Sequence, residues 1–525
     1  MVGGTTSLAV SATSYAELNV KTTGCIIALN TGGAGITLSG GTTVSATGCS
    51  VASNNSETVP CGTHITSKWV SYDGNAPTVG CGGIAAPGGG AASISKKLTT
   101  DPLAGASGVT AATGHLASLS SMTNPAGPTV PSGGNVDLAY SQTSTKNQLT
   151  ADGYSGSYAS NTWTVTCPNG GAYNFGNITT GGGITVNWDT GSDGTSTYNF
   201  SGSITMTGTA ITFGPGTYNI AGGLFTRGGT TTTFAAGTYN IGRASSNCSD
   251  GVKYSICHSG TLLTFGGSSS FTLQGGIYNS GGSRMVLGSS GTSNSYNIGA
   301  SSGGNAMWLG GGSYTKFGDA TGADSIFKAY GNIWVPSGGG SCTFMPAAAQ
   351  HDIYGSWNTA GGSVLGAGVY SITGYLDLGG SAGGDVTCDG NSVGMSGTDV
   401  TIVVGGSTTP GSGTCSGQAF CVAAGYGHVT LVSPTSGTTA GLAVVGPASQ
   451  SGGAYFAEGA TATSVSGAFY FPQGPISLSG GASVGGGTGQ CLELIGTQVT
   501  LSGGTAAASN CVSGTGGSTR IALVQ

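Results

Sequence analysis

Charge is what this sequence has least of. Only 6% of its 525 residues are Asp, Glu, Lys or Arg, and glutamate occurs only at Glu17, Glu57, Glu458 and Glu493. With 12 basic and 18 acidic residues, and Lys96-Lys97 as the one basic doublet, it lacks the electrostatic footprint that nucleic acid demands. No apolar run reaches the ~18 residues of a membrane-spanning helix. The opening MVGGTTSLAVSATSYAELNV has neither the basic n-region nor the unbroken apolar h-region of a signal peptide. Helix-forming runs of Ala, Leu and Glu are missing, and 105 glycines oppose helix throughout. Those glycines keep no three-residue period, which excludes collagen. Disorder is excluded too, because 37% of residues are hydrophobic and the formal net charge is only −6. What remains is a chain of strands and turns.

Thirteen cysteines in so neutral a chain point to disulfides and an oxidising compartment. No C-x-x-C occurs, so a zinc site has no support and no metal is expected. The odd count leaves at least one thiol free or paired between chains.

Two phrases recur. ITLSGGTTVSATGC (Ile36 to Cys49) is echoed by ISLSGGASVGGGTGQC (Ile476 to Cys491) and VTLSGGTAAASNC (Val499 to Cys511). TFGPGTYNI (Thr212 to Ile220) is echoed by TFAAGTYNI (Thr233 to Ile241), TLQGGIYNS (Thr272 to Ser280) and VLGAGVYSI (Val364 to Ile372). Tyr198, Tyr218 and Tyr239 are 20 and 21 residues apart, and Tyr173 to Tyr198 and Tyr278 to Tyr296 are 25 and 18 apart. A period near 20 is one supersecondary unit stacked on itself. Short alternating segments bounded by Gly, Asn or Pro-Gly make that unit a coil of three short strands, each bonded to the coil below at ~4.8 Å. The fold predicted is all-β: a right-handed parallel β-helix, or β-solenoid, crosslinked by disulfides. About 20 such coils would form a rod near 100 Å long.

Cysteines one period apart lie over one another in adjacent coils. The pairs expected are Cys25–Cys49, Cys61–Cys81, Cys248–Cys257, Cys415–Cys421 and Cys491–Cys511, the first and last clamping opposite ends of the rod. Between Asp101 and about Thr162 the pattern weakens, with Pro102, Pro125, Pro128 and Pro131 and no strand alternation. The division predicted is an N-terminal β module over 1–105, a Pro/Gly/Ser-rich crossing segment over 106–162, and the main β-helix over 163–525.

GCIIALN, ITLSGGTTVSATGC and TTDPLAG (Thr99 to Gly105) resemble the start of the extracellular region of TadG-like proteins, which are associated with Tad/Flp pilus machinery in bacteria. The stretch AYFAEGATATSVSGAFYFPQGPISLSGGASVGGGTGQCLELIGTQVTLSGGTAAASNC resembles their C-terminal region in order and spacing. The two regions these stretches bound, from Gly24 to Gly105 and from Ala454 to Cys511, span about a quarter of the chain. Family members begin with a membrane-anchoring helix and a pseudopilin-like segment; here TTSLAVSATSYAEL is similar only to the last strand of that segment. The resemblance implies an extracellular protein of the bacterial cell surface whose partners are Tad/Flp pilus or envelope components, and it carries no catalytic residues.

Chemistry is sparse. The Asp-Asp and Gly-His-Gly motifs of polygalacturonase-type β-helices are missing, since Val429 follows His428 in GYGHV. Asp385 and Asp389 form the nearest approach to an acidic cluster, but Asp389-Gly390 reads as a turn. His351-Asp352 could orient an imidazole as a general base, yet no nucleophile is tied to it. The Asp-Gly steps at Asp73, Asp152, Asp193, Asp250 and Asp389 lie outside any calcium-binding nonapeptide. Thr230 to Thr233 is the one threonine run, too short for an ice-binding face. Trp308, Trp334 and Trp357 are 26 and 23 residues apart, near one coil each, so stacking would set them in a column. That column is either an internal stack or an exposed strip for a surface or glycan ligand. The function expected is non-catalytic: an adhesin or structural protein without cofactor that mediates attachment and self-association. The alternative is a β-helical lyase or hydrolase acting on polysaccharide.

Overall fold

Alternation of apolar and polar residues over four or five positions, ended by glycine, makes strands that each bury one side. The computed structural model describes residues 15–19, 24–138, 145, 148–149, 154–289, 291, 293–319, 326–336, 340–379, 386–408, 415–457, 463–485, 491–509 and 520–524. The fold is all-β, with 50% strand and 4% helix. Gly216–Ile220, Leu224–Arg227 and Thr231–Phe234 complete one coil, and Gly237–Ile241 begins the next. Each strand pairs in parallel with its counterpart one coil on: Tyr218 with Tyr239, Leu224 with Ile256, Thr232 with Leu263. Three parallel ladders result. The first face carries Gly216–Ile220, the second Leu224–Arg227 and the third Thr231–Phe234.

Corners need glycine where coils touch. At Gly216 (φ +154°) a Cβ would come within 2.7 Å of the Tyr198 ring and 2.8 Å of the Ser196 carbonyl one coil away. At Gly368 (φ +138°) it would meet the Ala348 carbonyl at 1.7 Å. These are the glycines of the G-T-Y-N-I and G-V-Y-S-I phrases, and the recurrence of that text is steric.

The inward column of the first face is aromatic from Tyr198 through Tyr218, Tyr239, Phe271, Tyr296 and Phe327 to His351 and Tyr370. Tyr198 and Tyr218 stack with centroids 4.7 Å apart, and Tyr218 and Tyr239 at 5.4 Å. Tyrosine serves here because its hydroxyl reaches the corner carbonyl four residues back: Tyr218 donates to Gly214 at 2.6 Å and Tyr370 to Gly366 at 2.9 Å. Tyr278 lies outside this column, on the second face, so the spacing from Tyr278 to Tyr296 and the phrase TLQGGIYNS join different faces from those of TFGPGTYNI. A strand–corner–strand phrase reads alike on any face.

The three LSGG phrases are three consecutive rungs. Ile476 pairs with Val499 and Val499 with Ile36, while Leu478, Leu501 and Leu38 align beside them. The coil of Leu492–Gly496, Val499–Leu501 and Ala506–Ser509 therefore continues into residues 24 onward, with Leu494 on Ile26 and Ala507 on Val44. From there the stack runs to Thr78–Val79, Ile84–Ala85 and Ser93–Lys96. The cysteine-bearing coils of the two termini adjoin each other and do not clamp opposite ends, because edge bonding requires matched strands and not a continuous chain. Thr43–Ser53 and Thr463–Phe471 each turn a corner and serve two faces. Pairing consequently closes a ring of six parallel strands that also includes Gly24–Ala28, Ala506–Ser509, Ser483–Gly485 and Leu492–Gly496. Tyr15–Asn19 and Arg520–Val524 pair antiparallel.

Residues 98–133 run back along the first face to where the stack begins at Gly134–Leu138, inside the stretch expected to cross without strands. The segment is pinned by Thr99 to Asn54, Asp101 to Tyr470 and Asn124 to Gln274 and Ala300. It contains a helix, Ser107–Ser118, where none was expected. Gly108 and Gly114 mask its propensity, but Val109, Ala112 and Leu116 fall on one side and pack on Val403, Leu442 and Val445. The outward column of the first face changes to match. It reads Asn174, Asn199, Asn219 and Asn240 at one end, then Val403, Val445, Tyr470, Ile495, Ile27 and Ala52 where the return segment and its surroundings cover it.

Candidate functional site: the aromatic second face

The outward column of the second face is aromatic at its centre: Phe225, Cys257, Tyr278, Trp308 and Trp334 lie in successive coils, followed by Asn358, Asp377, Cys421 and Tyr455. Tyr278 and Trp308 stack at 4.7 Å with planes 12° apart. Trp334 is 38% exposed. Trp357 departs from the column: it pairs with Ile333 rather than Trp334, so alternation turns it inward, 1% exposed, between Ile333 and Leu376. The expected three-tryptophan strip is a pair, with Trp357 a core residue one position out of register. At the neighbouring corner Tyr330 and Tyr354 stack at 4.9 Å, half-buried, and extend the aromatic surface.

Disulfides frame this surface. Cys248–Cys257 pins a loop whose Tyr254 covers Tyr278 at 5.6 Å, closing over Phe225. Cys415–Cys421 pins a second loop beside Tyr455. Asp377, Cys415 and Cys421 lie close enough for a metal site, but both sulfurs are committed to the disulfide and offer no thiolate. Cys25–Cys49 and Cys61–Cys81 join adjacent coils, as their spacing predicts. Cys491 is disulfide-bonded, and Cys511 lies outside the described residues. Cys342–Cys388 was not foreseen, because the partners are 46 residues apart and Cys388 sits on a hairpin, Val386–Cys388 with Asn391–Val393, folded over the third face. Cys167 is the free, buried cysteine among the described residues.

The acid–base candidates come apart. Strand alternation sends His351 inward and Asp352 outward. His351 stacks on Tyr370 at 3.8 Å, its Nε2 lies 2.8 Å from the Pro346 carbonyl, and burial lowers its pKa to about 4, so it stays neutral. Asp352 meets His115 of the return segment instead, at 2.7 Å. Asp389 has φ +49° at the tip of the hairpin, as a turn residue does, and Asp385 lies outside the described residues. Of Thr230 to Thr233, Thr230 and Thr232 are buried, and the outward Thr231 is followed one coil on by Leu262, so no threonine face forms. No helix among the described residues is long and apolar enough to cross a membrane.

Comparison of the chain with protein-family models, curated proteins and solved structures finds no match.

Proposed function

We propose that this chain is the non-catalytic, extracellular part of a bacterial surface protein of the TadG-like, pilus-associated kind, a right-handed parallel β-helix that holds the cell to a surface or to a glycan. The hand follows from the general rule that parallel strands in one sheet are connected by right-handed crossovers. The observation that carries the reading is Trp334, an exposed tryptophan next to the stacked Trp308 on a face that disulfide-pinned loops frame. Aromatic faces supply large contact area at little entropic cost, which suits neutral sugars and abiotic surfaces. Of the carboxylates weighed for catalysis, Asp352 is tied to His115 and Asp389 sits in a turn, which supports the same reading. Weak single contacts would add up over many copies.

The test is attachment and glycan binding by the purified chain and by a deletion strain, run beside lyase and hydrolase assays. Trp334→Ala with Trp308→Ala should weaken attachment several-fold with unchanged circular dichroism. A measurable polysaccharide-cleaving activity, or full attachment without the chain, would replace this reading with the enzymatic one.

A further inference from the structure

We infer that the cleft between the return segment and the first face, separate from the tryptophan pair, binds a carboxylated sugar. Its volume is about 440 Å³, and its lining includes His115, Leu119, Met122, Asn297, Lys328 and Asp352. That size falls in the ~300–1,000 Å³ range of small-molecule sites.

Register builds one wall. Asn297, Lys328 and Asp352 are outward residues in three successive coils, so an amide, an ammonium and a carboxylate stand in line at ~4.8 Å intervals. The end of the helix and the turn after it supply the other wall. His115 Nε2 lies in hydrogen-bond contact with Asp352 Oδ1 at 2.7 Å and so ties the helix end to the strand at the mouth of the cleft.

Charge then selects the ligand. Asp352 Oδ1 is engaged by His115 Nε2, and the exposed Lys328 ammonium has no ion-pair partner among the described residues. An ammonium beside an amide suits a single carboxylate, whereas a phosphate dianion is better held by several cations or an Arg fork. Leu119 and Met122 give the cleft an apolar side, where the C–H face of a pyranose ring lies well. A carboxylate, hydroxyls and one apolar face are the chemistry of a uronic acid.

The test is calorimetric titration of the full chain with glucuronate, and with glucose and acetate as separate arms. Glucuronate should bind at least about tenfold more tightly than either. Lys328→Met should abolish that preference with unchanged circular dichroism, and Lys328→Arg should retain most of it. Trp334→Ala should leave it intact, which separates this site from the attachment surface. Absence of glucuronate binding, equal affinity for glucose or acetate, or an unchanged preference in Lys328→Met would overturn the assignment.

Discussion

The coils from Tyr198 to Tyr370 and the coils built from residues 24–97 share one backbone plan but are held together differently. In the former, successive inward positions of the first face are rings in contact, with centroids 3.8 to 6.0 Å apart. In the latter, the same column is Ile26, Val51, Val70 and finally Ile94, which is 46% exposed where the stack ends. There Cys25–Cys49 and Cys61–Cys81 tie coil to coil covalently, while the disulfides of the aromatic region only fasten loops onto outer faces. Large rings bury enough area to bind neighbouring coils, and small aliphatic side chains near an open edge need crosslinks to resist fraying.

The sharpest way to break the contrast is Tyr218→Ala. Deleting a buried ring from the middle of the stack should cost about 3–5 kcal/mol, with hydrogen-exchange protection lost first over residues 198–241. Tyr218→Phe, which removes only the bond to Gly214, should cost about 1 kcal/mol. Next, replacing Cys25 and Cys49 by Ser should cost about 3 kcal/mol and lower protection over 24–97 while the aromatic coils keep theirs. Uniform loss along the chain would show that the two regions unfold as one unit.

A pH series sharpens the comparison further. Glu57 takes the place of Ile36 and Val499 in an inward column, its carboxyl oxygens have no hydrogen-bond partner, and burial raises its pKa from the ordinary 4.5 to about 8. The folded chain thus keeps a proton that the unfolded chain releases, so the N-terminal coils should be most stable below pH 4.5 and lose stability as pH rises towards about 8. Glu57→Gln should flatten that slope in thermal melts taken across the range. The smallest effect expected is from Asn219→Ala. It breaks a ladder in which Asn219 donates to Asn199 at 2.9 Å and accepts from Asn240 at 2.8 Å, and should cost about 1 kcal/mol, read by urea denaturation.

Much of the architecture was legible because coil geometry is written into spacing. Tyr218 over Tyr239, and Cys25 and Cys61 each bonded one period on, follow from a repeat near 20 residues. Trp357 was misplaced because a spacing of 23 residues says that two residues lie one coil apart, but not on which side of the strand each falls; a shift of one position exchanges core for surface. The helix Ser107–Ser118 was illegible because its apolar stripe is short and its glycines weaken it; the face it covers, not its own propensity, holds it.

The sequence by itself determined that this chain stacks short strands, where its corners must be glycine, and that Cys25 meets Cys49 and Cys61 meets Cys81, since each depends on contacts one period away. Only the tertiary structure decided that the coils of the first hundred residues sit on those of the last, that residues 98–133 return along one face, and that Asp352 finds His115 rather than its neighbour. These depend on surfaces hundreds of residues apart that are matched in edge pattern, apolarity or charge, and such matching leaves no mark in local spacing.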